Sequence, residues 1–99
     1  MEKLPDKLTI KGLQIEAELV ERTDYKAWYK RADGYHEVFY VKVRPAQTIY
    51  GKHYPRREAY PNNEAFGIWA WCYKHEEKAG RVYHNLKRKK ANKEAKFES

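Results

Sequence analysis

The sequence predicts an α+β domain, a small antiparallel β-meander of four to five strands with one C-terminal helix packed on a face. Three observations lead there. Apolar and polar residues alternate with period two through most of the first half of the chain. Asp33-Gly34 separates two runs rich in aromatic and β-branched residues, the pattern of a β-hairpin. After the aromatic run Phe66 to Tyr73, apolar residues switch to helical spacing.

The first segment, Lys7 to Arg22, carries Leu8 and Ile10, a break at Lys11-Gly12, then Leu13, Ile15, Ala17 and Leu19 interleaved with Glu16 and Glu18. A short strand turning into a longer one fits this alternation. The good helix formers between Leu13 and Arg22 favour a helix instead, but strict alternation decides for the strand. Tyr25 to Arg31 and Tyr35 to Arg44 are then two hairpin strands. Lys26, Trp28 and Lys30 share one face of the first, and Phe39, Val41 and Val43 share one face of the second. Pro45 ends that strand, because proline has no N–H for the ladder.

From 45 to 65 the rhythm breaks at Pro45, Gly51, Pro55, Pro61 and Asn62-Asn63. So long a connection in a small domain is either functional or packed by its own side chains. Its tyrosines predict that it lies against the body, with Ile49-Tyr50 adding one short edge strand. Phe66 to Tyr73 reads as a central strand, with Phe66, Ile68, Ala70 and Cys72 on one face and Trp69, Trp71 and Tyr73 on the other. Glu76 and Glu77 suit the first turn of the following helix, where the positive end of the macrodipole favours acids. Ala79, Val82, Tyr83 and Leu86 form its apolar stripe, laid against Trp69 and Trp71. Gly80 weakens the helix by roughly 1 kcal/mol relative to Ala, but it permits close approach to a tryptophan.

The chain's 99 residues make one domain, with an ordered core expected over about 7–90 and a frayed basic tail over 91–99. Charged residues at 35% exceed the usual quarter, and 15% aromatics compensate by supplying large buried area per residue. The net charge of +7 is uneven. Residues 1–49 are close to neutral, whereas 50–99 hold twelve Lys or Arg against six acids. A localised basic field attracts nucleic acid or an acidic protein, although it also serves solubility. One cysteine excludes an internal disulfide, the N-terminal stretch has no apolar core of a signal peptide, and no run is long enough to span a membrane. A cytoplasmic location is therefore expected.

Catalytic and cofactor motifs are absent. Cys72 and His75 have a Cys-x-x-His spacing, but a structural zinc needs four ligands, and His36, His53 and His84 are scattered. Cys72 reads as a small buried strand residue, not a nucleophile. No metal, cofactor or catalytic residue is expected. The candidate surface is basic and aromatic: Lys52, His53, Arg56 and Arg57 beside Tyr50, Tyr54 and Tyr60, aided by Lys87, Arg88, Lys89 and Lys90 at the end of the helix. The leading expectation is a non-enzymatic protein-interaction module that takes an acidic partner on this surface. The alternative is nucleic-acid binding, with phosphates on Lys and Arg and bases on the tyrosine rings. A sheet edge of the Lys7 to Arg22 segment could pair with a second copy in a homodimer. Lys-Trp-Lys on one face of the Tyr25 to Arg31 strand raises the further possibility that the sheet itself meets nucleic acid.

Overall fold

A computed structural model describes residues 2–10 and 12–88. The expected frayed tail lies outside them. Five strands form the main sheet: β1 (Lys7–Ile10), β2 (Ile15–Arg22), β3 (Lys26–Arg31), β4 (His36–Tyr40) and, later in the chain, β9 (Ala70–Tyr73). All neighbours are antiparallel, in the order β1-β2-β3-β4-β9. The helix α1 (Glu76–Asn85) packs on one face. The α+β meander is thus the architecture of the chain.

The hairpin between β3 and β4 turns where Asp33-Gly34 places it. Gly34 has φ +95°, the Gly34 amide donates to the Arg31 carbonyl at 3.0 Å, and the Arg31 amide donates to the Tyr35 carbonyl at 2.8 Å. A side chain here would strain that left-handed backbone. In β2 the register shifts between Leu19 and Glu21, a bulge at Val20.

β3, not the Phe66 to Tyr73 run, is the central strand. Lys26, Ala27, Trp28 and Tyr29 are all buried, as a strand covered on both faces requires. The Phe66 to Tyr73 run divides. Asn62 caps a single 3-10 turn at Asn63–Ala65, its Oδ1 accepting from the Glu64 amide at 3.1 Å. Gly67 then takes φ +92° and its amide donates back to the Ala70 carbonyl at 2.7 Å. Only Ala70–Tyr73 is extended, as an edge strand paired with β4. Ile68 and Cys72, expected in the core, are exposed.

The helix meets a different tryptophan from the two expected. Trp28 and Val38 pack against Ala79 and Tyr83, with Tyr73, Val82 and Leu86 around them. Trp71 is half-buried and meets Tyr40 edge-on, while Trp69 joins the cluster on the opposite face. The role expected of Gly80 holds with Trp28 as the partner: a Cβ on Gly80 would lie 3.2 Å from the Trp28 ring. Trp28 is held there by Nε1, which donates to His36 Nδ1 at 3.1 Å. The Lys26/Trp28/Lys30 face is therefore covered by α1 over Lys26 and Trp28, which leaves Lys30 as its exposed cation.

The second face buries Ala17, Ala27, Tyr29, Phe39 and Ala70. Its cover comes from the N-terminal residues and the 60–66 return. Tyr60 stands edge-on to both Tyr29 and Phe39, with centroids 5.5 and 5.1 Å away. Among the described residues no helix is long and apolar enough to cross a membrane.

Candidate functional site

The long connection is a two-stranded ribbon. β5 (Lys42–Arg44) pairs with β8 (Arg57–Ala59), and β6 (Gln47–Ile49) pairs with β7 (Lys52–Tyr54). The break between the two ladders falls at Pro45 and Pro55, which stand on opposite strands one step apart and have no N–H to offer. Tyr50 and Gly51 close the tip with φ +52° and +79°, the pair of positive values that a two-residue type I′ turn needs. The expected extra strand at Ile49 exists, but it bonds to β7 and not to the main sheet.

The root of this arm is clamped to the body. The Glu2 amide donates to the Arg56 carbonyl at 3.1 Å, and the Glu58 amide donates to the Glu2 carbonyl at 2.8 Å. Glu58 is buried, accepts two hydrogen bonds from the Arg22 guanidinium at 2.7 and 2.9 Å, and accepts a third from the Leu4 amide at 2.9 Å. Arg22 holds the Glu58 carboxyl below the usual carboxylate range.

Beyond the root, the arm is basic throughout. Lys42, Arg44, Lys52, Arg56 and Arg57 are exposed, His53 is exposed, and no Asp or Glu occurs from 42 to 57. Arg44 and Arg57 face each other directly across the β5–β8 ladder. Like charges so placed are destabilising, and neither guanidinium has an ion pair among the described residues. Lys52 Nζ lies 5.6 Å from the centre of the Tyr54 ring, and Lys42 Nζ lies 5.6 Å from that of Trp69. Tyr50 is fully exposed at the tip.

The ribbon therefore unites Tyr50, Lys52, His53, Tyr54, Arg56 and Arg57 of the expected surface. It does not lie against the body at its tip. Tyr60 leaves the set, because it is packed inward and its hydroxyl donates to buried Glu37, which Arg31 also engages at 3.1 Å. Burial and the neighbouring Glu37 raise the Tyr60 phenol well above its ordinary pKa.

The helix-end residues form a separate group. α1 stops at Asn85, so Lys87 and Arg88 follow the helix, while Lys89 and Lys90 lie outside the described residues. Arg88 donates to both oxygens of Asp24 at 2.6 and 2.7 Å and lies 4.7 Å over the Tyr25 ring. Its charge is locally answered, unlike those on the arm. The Tyr40 hydroxyl donates to the Lys87 carbonyl at 2.9 Å, so the chain leaving the helix passes the end of β4 from which the arm departs.

Sequence reasoning missed Lys42 and Arg44, which sit in a run that reads as the end of a core strand. The signal that could have found them is the absence of any acid between Lys42 and Arg57. Among the described residues no group of three or more His, Cys, Asp or Glu could hold a metal. No protein-family model matches the chain, and neither a curated protein nor a solved structure matches it.

Proposed function

We propose that the protein is a non-enzymatic nucleic-acid-binding module that lays its 42–59 arm along the phosphate backbone. One observation carries this reading: a two-stranded ribbon extends from the sheet with Lys42, Arg44, Lys52, Arg56 and Arg57 exposed and no carboxylate between them. A ribbon of this width fits the major groove of duplex DNA, and unpaired guanidiniums are suited to bidentate contact with phosphate. Contacts of this kind supply affinity and register and do not read sequence.

The arm's apolar residues favour a second reading. Val43, Ile49 and Tyr50 are exposed beside the cations, a composition that also suits an acidic protein partner. Salt separates the two. Titration of a labelled duplex oligonucleotide should give a log–log salt slope of about −4.5 if the arm's five cations each displace a counterion. Replacing Lys52 and Arg56 together by Gln should reduce that slope by about 2. Absence of binding at low salt, or a slope that the double variant leaves unchanged, would reject the nucleic-acid reading.

A further inference from the structure

Beside the root of the arm lies a groove of about 570 Å³ between the N-terminal segment, β8 and the 60–66 return. This is the size of a small-molecule site. Leu4, Leu8, Ile10 and Phe66 supply apolar lining, and Arg44 and Arg57 stand at its edge. Two carboxylates also border it, and both are already engaged. Glu37 binds Arg31 and the Tyr60 hydroxyl, and Glu58 binds Arg22 and the Leu4 amide. The groove thus offers an apolar surface with two guanidiniums, directly opposed across a ladder, that make no ion pair among the described residues.

We propose that this groove binds a small amphipathic carboxylate, with Arg44 and Arg57 sharing the carboxylate and the apolar chain lying along Leu8, Ile10 and Phe66. Opposed residues on an antiparallel pair have Cβ atoms about 5 Å apart, which lets two guanidiniums converge on one carboxylate. An anion bound there relieves the repulsion between the two arginines, while an apolar body gains by leaving water. The proposal does not require the nucleic-acid reading, although the two arginines belong to both surfaces.

The test is an amide-shift titration of the full chain with octanoate, and with octanol and octylammonium as matched probes. Octanoate should give saturable shifts centred on Leu8, Ile10, Arg57 and Phe66, octanol should bind at least about tenfold more weakly, and octylammonium should not bind. Arg44→Gln and Arg57→Gln should each weaken octanoate about tenfold while leaving the melting temperature unchanged or raised. Lys52→Gln with Arg56→Gln should leave it within about twofold, so octanoate binding and oligonucleotide binding can fail separately. Octanol binding as tightly as octanoate, full affinity in either arginine variant, or no saturable shift at these residues would overturn the proposal.

Discussion

Lys26 Nζ donates to the carbonyl of Tyr83 at 2.8 Å, and it lies 4.4 Å from the centre of the same residue's ring. The same ammonium donates to the Leu86 carbonyl at 3.2 Å. A buried lysine of the central strand thus adds a charged donor to carbonyls at the C-terminal end of α1, which also accept from the Leu86 amide at 3.2 Å and the Tyr25 hydroxyl at 3.4 Å, and where the negative end of the macrodipole favours a cation. Sheet and helix are joined by this contact as well as by apolar packing.

Lys26→Met keeps the stem's volume and removes the donor. It should lower unfolding free energy by about 1–3 kcal/mol, because two carbonyls lose a charge-assisted partner. Lys30→Met, four positions along on the exposed part of the same face, should change it by less than about 0.5 kcal/mol. Urea denaturation of the two variants measures the contrast. Equal stabilities would mean that Lys26 contributes nothing as a cap.

Gly80→Ala sets two effects against each other. Helix propensity favours Ala by roughly 1 kcal/mol, whereas the new Cβ would press on the Trp28 ring from 3.2 Å. Trp28 is tethered through His36 and meets Tyr83 on its other contacts, so it has little room to yield. The variant should therefore be no more stable than the parent, and Gly80→Val should cost roughly 1–3 kcal/mol by overpacking. A gain in melting temperature for Gly80→Ala would show that the ring moves aside.

Acid should loosen the arm's root. The Glu58 pKa is depressed in the folded chain, first by hydrogen bonds from Arg22. Its contribution is present above the ordinary glutamate value of 4.5 and is lost as pH falls through the lower folded value. Glu58→Gln should cost about 1–3 kcal/mol at neutral pH and flatten the fall in stability below about pH 4.5. The difference between the two denaturation profiles isolates Glu58 from other carboxylates. A variant whose profile parallels the parent's would remove Glu58 as the acid-sensitive group.

Two tyrosines should respond oppositely to loss of the hydroxyl. Tyr60→Phe removes a donor to a buried carboxylate and should cost about 1.5–3 kcal/mol. The Tyr83 hydroxyl is buried with no hydrogen-bond partner among the described residues, so Tyr83→Phe should be neutral within about 0.5 kcal/mol or stabilising. Burial also pushes the phenols of Tyr29 and Tyr83 up to about 12, and that of Tyr60 higher still. Since an unfolded tyrosine ionises near 10, the stability from these three is complete below that value and is lost as pH rises above it. Absorbance titration should show them ionising last, together with unfolding. Smooth titration of all nine tyrosines near 10 would contradict their burial.

Much of the scaffold was legible locally. Asp33-Gly34 specifies its hairpin because the turn needs a residue tolerant of positive φ, and alternation places Ala17, Ala27 and Phe39 on their strands whatever the partner. Glu76 marks the helix start through the charge preference of a first turn. The basic, aromatic character of residues 50–57 was legible as well. Their ribbon form was not, because the pairing of Lys42–Arg44 with Arg57–Ala59 joins residues too far apart in the chain for period or propensity to report.

By itself, the sequence determined the first three strands, the tight turn, the helix and the location of excess charge, all of which follow from backbone preferences and side-chain periodicity. Tertiary structure decided which face each element presents to which neighbour. Alternation says that Lys26 and Trp28 point the same way, but it is symmetric between core and solvent. Only the arrival of α1, fifty residues later, turns that face inward and makes Lys26 a cap instead of a surface charge. The same non-local packing draws Tyr60 onto Glu37 and leaves Arg44 and Arg57 opposed at the edge of a groove.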